Sequence, residues 1–174
     1  MTIEEIIKKY NVRIHENGTQ LRADMRISNN PDDLAFMKEN KPAIIDYIKS
    51  KKEAEEKAYQ ERKAKIDAIE GLKEIRDAIA DLSRWQDEFE ESFNDVGGLG
   101  VRPKPDYDID GMKKKYPRAA AYLKAESYEY ASHYHKSSFG SNAKEKIING
   151  DDFAEAISEM EQKWKEYCDE HIWD

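Results

Sequence analysis

Carboxylates fall in a regular line through the middle of the chain. Asp67, Glu70, Glu74, Asp77, Asp81, Glu88, Glu91 and Asp95 follow one another in steps of three or four, and Arg84 fills the one gap. On an α-helix that spacing places them on one face, about 5 Å apart along the axis. Such a row can receive arginine forks, since each carboxylate accepts a bidentate pair. At helical pitch it can also take the place of phosphates in a basic channel. The competing explanation is a solvated outer face, which charge runs usually are. Against it stands the nearly pure sign of the row. A solvated helix normally mixes Lys and Glu at i, i+4, whereas like charges at that spacing cost a few tenths of a kcal/mol per pair.

The other chemistry-bearing groups give weaker patterns. His133, His135, Cys168 and His171 are all zinc-ligand types. Cys168 and His171 can share a helix face, but His133 and His135 are turned about 200° apart unless the helix has ended near Tyr134. The spacing matches no zinc pattern, and Cys168 and His171 border an apolar stripe, so no metal is expected. Tyr122, Tyr128, Tyr130 and Tyr134 beside Lys113, Lys114, Lys115 and Arg118 have the makings of a base-stacking platform. The alternative, tyrosine rings packed inside a helical block, suits an acidic chain better. Acid–base carboxylate pairs cannot be chosen without a pocket. The phosphate-loop, dinucleotide, H-E-x-x-H and C-x-x-C motifs are all absent. The expectation is a non-enzymatic protein without catalytic residues or cofactor.

The elements that position these groups follow from periodicity. Opposite the carboxylate row lie Ala68, Leu72, Ile75, Ile79, Leu82, Gln86, Phe89 and Phe93, alternating steps of three and four as in a heptad seam. Such a seam needs a partner surface, and Gln86 within it can set register. A second stripe, Phe153, Ile157, Met160, Trp164, Tyr167 and His171, predicts a last helix capped by Asp151. Its outer face carries Asp152, Glu155, Glu159, Glu166 and Glu170. Between them the glycines and prolines of 97–108 predict a loop, Pro117 heads a helix to about Lys136, "SSFGS" interrupts it, and a short helix with Ile147 and Ile148 closes at Asn149-Gly150. Residues 66–100 and 151–174 each carry net −7, while residues 101–150 carry net +4. An acidic surface repels nucleic acid and attracts basic grooves, so strong direct nucleic-acid binding is not expected. A mean hydropathy of −0.98 is polar for a globule, yet the regular apolar spacing argues against disorder. One cysteine, no apolar run near 18 residues and no signal-peptide core predict a chain of the reducing cytoplasm without a membrane span.

The first fifty residues read as a separate unit. Thr2 and Glu5 make a capping box for a helix over Ile3–Tyr10. A hairpin of about residues 12–27 turns at Asn17-Gly18, with Leu21, Ala23, Met25 and Ile27 on one face and Arg13, His15, Arg22 and Arg26 on the other. Asn30-Pro31 and Lys41-Pro42 start two further helices. If unbroken, the second would run from Pro42 to about Asn94, with Gly71 its weak point.

The order helix, "VRIHENGTQLRADMRI", Pro-led helix, "ENKPAIIDYIKS" resembles the TubC-type N-terminal docking domain of peptide and polyketide synthetase subunits. That resemblance implies an αββαα dimer receiving an acidic partner tail, with Arg13, Arg22 and Arg26 as receiving positions. The chain beyond residue 50 departs from that family. Residues 109–174, containing "KYPRAAAYLKAESYEYASHYHKSSFGSNAKEKIINGDDFAEAISEMEQKWKEYCDEHIWD", are similar in style to small proteins of phages and integrated elements of Firmicutes. The whole chain resembles a type II-A anti-CRISPR protein, an inhibitor of Cas9. This implies that Asp77, Asp81, Glu88 and Glu91 compete for the arginines and basic channels with which Cas9 holds nucleic acid. The expected architecture is mainly α: an αββαα unit at 1–50, a charged linker and long seam helix at 51–96, a loop at 97–108 and a helical block at 109–174. A homodimer is expected from the seam and the docking-domain resemblance. A docking or adaptor module, and a phage replication or regulatory accessory handling nucleic acid through residues 101–136, are the alternatives.

Overall fold

The computed structural model describes residues 1–16, 18–96, 100–133 and 138–171. Among these are eight α-helices and one two-stranded sheet, so the protein is mainly α. The chain divides into two compact units, Met1–Glu61 and Arg62–Asp174, whose apolar cores share no residue.

In the first unit, helix α1 (Ile3–Tyr10) begins with the capping box, Thr2 and Glu5 each bonding the other's backbone N–H. It ends where Asn11 adopts the left-handed conformation at φ 47°. Strands β1 (Arg13–Ile14) and β2 (Leu21–Arg22) pair antiparallel, with Arg13 opposite Arg22 and Ile14 opposite Leu21. The sheet is much shorter than the alternation over 12–27 predicts. Asp24 is the reason: its carboxylate accepts the Arg26 N–H at 3.1 Å and starts a 3-10 helix at Met25–Asn29. A local side-chain cap outcompetes the ladder. Met25, predicted to share the sheet's apolar face, is 86 % exposed, while Ile27 is buried. Helix α2 (Pro31–Glu39) is capped by Asn30, and α3 (Lys41–Asp67) follows. Ile6, Tyr10, Val12, Ile27 and Ile44 form the core. Within it the buried Asp33 accepts the Tyr10 hydroxyl at 2.5 Å and the Lys9 ammonium at 2.8 Å, which hold its carboxyl below the usual range. A buried charge is tolerated only when paired in this way.

The second unit begins with the end of α3 and continues with α4 (Leu72–Val96), α5 (Ile109–Lys115), α6 (Pro117–His133), α7 (Phe139–Asn149) and α8 (Phe153–His171). The long helix does break at Gly71, whose φ of 74° no helix accommodates. A Cβ there would also lie 2.1 Å from the Tyr116 ring, so the turn packs tightly on its neighbour. Ile69, Leu72, Ile75, Tyr122, Ala125, Ile147 and Met160 belong to the core, where α6 packs against α7 and α8.

Three details differ from expectation. The "SSFGS" run does not only interrupt: Phe139, Gly140 and Ser141 already belong to α7. A Cβ on Gly140 would stand 2.2 Å from the Glu129 backbone nitrogen, so this glycine lets α7 approach α6 backbone to backbone. The cap of α8 is Asp152 rather than Asp151, its carboxylate accepting the N–H groups of Ala154 and Glu155 at 2.8 and 3.1 Å. The apolar seam is also divided. Leu72, Ile75 and Ala78 are buried in this unit's core, Ala68 is exposed while its neighbour Ile69 is buried, and Ile79, Phe89 and Phe93 are exposed.

Candidate partner-binding site

Helix α4 carries eight acids against three bases. The four acids marked as partner-binding differ in their surroundings. Asp77 is exposed, with Lys73 at 4.0 Å as its one ion-pair neighbour among the described residues. Glu91 is exposed and has no ion pair among the described residues, and Asp87, not marked from sequence, is in the same condition. Asp81 and Glu88 are instead occupied by the chain itself. Arg102 reaches both, donating to Asp81 Oδ1 and Glu88 Oε2 at 3.0 Å each. The Tyr107 hydroxyl adds a bond to Asp81 at 3.2 Å, and the Asp81 side chain is only 20 % exposed. The Arg102 guanidinium, with the Tyr107 hydroxyl, holds the Asp81 carboxyl below its ordinary value. Asp81 and Glu88, expected from sequence to meet a partner, are thus engaged within the chain by Arg102.

The arginine is delivered by the segment after α4. Pro103 and Pro105 keep the backbone extended, and the segment lies along α4, with the Trp85 indole donating to the Arg102 carbonyl at 2.9 Å. Lys104 sits 5.6 Å from the Trp85 ring centroid. From sequence alone, 97–108 reads only as a loop. An arginine followed by Pro103 and Pro105 shortly after an acidic helix is the available signal, but which carboxylates it meets depends on how the chain turns back.

In the first unit, Arg13, Arg22 and Arg26 do not form one equivalent face. Arg13 and Arg22 oppose each other across the two-stranded sheet, and both are exposed. Arg13 donates to the Asn11 side chain at 3.2 Å, and the Arg22 guanidinium has no hydrogen bond or ion pair among the described residues. Arg26 lies on the 3-10 helix, not the strand, and its guanidinium is held by Asp24 at 2.8 and 3.1 Å, which raises its pKa.

Among the described residues the tyrosines do not form a shared platform. Tyr122 is buried, with Arg76 5.4 Å from its ring centroid, and Tyr128 meets Trp164 edge to face. Arg118 donates to the carbonyls of Ile147, Gly150 and Asp151, satisfying groups that the end of α7 leaves unpaired. Tyr130 is exposed; Tyr134 lies outside the described residues. For the metal pattern, His135 also lies outside them, as do the side chains of His133 and His171. Cys168 is half-buried, and among the described residues there is no cluster of three or more candidate ligands.

Outside α4, Glu159 of the second acidic face binds Lys146 at 2.6 Å, and Glu161, elsewhere on α8, binds Lys124 at 2.5 Å. Among the described residues no helix is long and apolar enough to cross a membrane. No protein-family model, curated protein or solved structure matches the chain.

Proposed function

We propose that the protein is a non-enzymatic inhibitor that binds the CRISPR-Cas9 effector through the acidic face of α4 and blocks nucleic-acid binding or cleavage. The observation that carries the binding mode is the row Asp77, Asp87 and Glu91, exposed anions in steps that keep them on one side of the helix. Such a row suits a basic channel lined by arginines. The effector's identity comes from the resemblance to type II-A anti-CRISPR proteins. The site of action is then the cytoplasm of a bacterial host.

The test is a Cas9 cleavage assay with the protein added before or after guide loading and before or after DNA. Asp77→Lys, Asp87→Lys and Glu91→Lys combined should abolish inhibition while the helical spectrum is retained, and raised salt should weaken it. Asp81 and Glu88 are left intact because they hold Arg102. Full inhibition by the folded triple variant would reduce the row to a solvated face.

A second function is favoured by one observation in the first unit. Arg13 directly opposite Arg22 is a like-charge pair, unfavourable unless an anion lies between. A docking module receiving an acidic tail there would bring a partner other than Cas9 in a pull-down, and Arg22→Glu would release it.

A further inference from the structure

The exposed part of the seam is self-complementary, and we propose that two copies pair through it as antiparallel α4 helices. This proposal does not rest on Cas9 as the target.

Leu72 and Ile75 are buried within the unit's own core, but Ile79, Phe89 and Phe93 are 38 %, 39 % and 60 % exposed. The free stretch runs Ile79, Leu82, Gln86, Phe89 and Phe93, in alternating steps of three and four along α4. In heptad terms these are successive a and d positions.

The two ends of the stretch differ in kind. At the C-terminal end two exposed aromatic rings stand out, Phe89 and Phe93, stacked with centroids 6.0 Å apart. At the N-terminal end the surface is hollow. Ile79, Leu82 and Gln86 line a cavity of about 630 Å³ walled by Trp85, Pro105 and Tyr107. Ile79 also lines a second cavity, about 760 Å³, with Leu123, Phe153 and Ile157. Projections at one end and hollows at the other fit a second copy only when the helices run in opposite directions. The a-to-d register then sets Leu82 against Phe93 of the second copy and Gln86 against Phe89. A parallel pair would stack projections on projections and leave the hollows unfilled, forfeiting contacts.

Charge permits the antiparallel arrangement. The acids Asp81, Asp87, Glu88 and Glu91 fall at outer positions of the heptad, while Ser83, Trp85, Glu90 and Ser92 flank the seam. Glu90, the single charge among these four, accepts a bond from Gln86 at 2.9 Å and would lie beside Ser83 of the second copy. A stable pair needs about 1,000 Å² or more of total buried surface, which the roughly four helical turns from Ile79 to Phe93 and the two hollows have to supply. The acidic face stays outside, so each dimer displays it twice.

The experiment uses the full chain. Light scattering at micromolar concentration should give twice the monomer mass, and Phe89→Lys should halve it with an unchanged helical spectrum. In a Cys168→Ser background, Leu82→Cys and Phe93→Cys chains should form a disulfide dimer under mild oxidation when mixed, and neither should link to itself. A monomeric wild type overturns the proposal, as would a Phe89→Lys dimer. Self-linking of the Phe93→Cys chain would equally overturn it, because it reports parallel helices.

Discussion

Asp81 takes donors from Arg102, Tyr107 and Arg84, and its carboxyl lies below the ordinary range chiefly because of Arg102. A depressed carboxylate contributes stability that is fully present above its unfolded pKa, near 4, and is lost as pH falls through the lower folded value. Release of the 100–107 segment from α4 should therefore begin only below about pH 4. The Trp85 indole resonance in a ¹⁵N–¹H NMR titration reports it, because that N–H is bonded to the Arg102 carbonyl. In Arg102→Ala the resonance should already sit at its released position at neutral pH, with little change in melting temperature, since exposed ion pairs contribute little. The sequence displayed the carboxylates but not which of them are free, because neutralisation by Arg102 depends on a chain reversal that no periodicity encodes. Glu91 and Asp81 look alike in the sequence, yet their partners differ entirely.

Helices were legible where their signals are local. The capping box of α1, the Asn30-Pro31 start of α2, and the Phe153-to-Tyr167 stripe of α8 each lie within a few turns of chain, and each element forms as read. The hairpin was overextended because Asp24 caps a 3-10 turn where alternation alone predicted strand. The start of α7 was missed for a tertiary reason: "SSFGS" reads as a breaker, whereas Gly140 serves helix–helix contact. Gly140→Ala tests this. On an exposed helix the change would raise stability slightly, since alanine is the better helix former. Here the added methyl meets the α6 backbone at Ala125 and Glu129, so a loss of about 1–3 kcal/mol is expected. Thermal denaturation followed by circular dichroism decides the sign.

Two cores without a shared residue predict two unfolding events at the scale of the whole molecule. In differential scanning calorimetry, Ile44→Ala should lower one transition and Ile75→Ala the other, each by about 2–5 kcal/mol for a fully buried isoleucine. A single transition shifted by both variants would mean that the units unfold together. Between the cores, every residue of α3 from Lys51 to Glu61 is exposed. Over that stretch Lys57–Glu61 at 3.8 Å and Gln60–Glu56 at 2.7 Å are exposed local pairs. A solvated helix supported mainly by its own backbone frays readily, and Lys51, Lys52 and Lys57 are sites for trypsin. The stretch is thus a cleavage point: brief digestion should nick it first and yield two protease-resistant pieces, one bearing the arginine pair of the hairpin and the other the acidic helix.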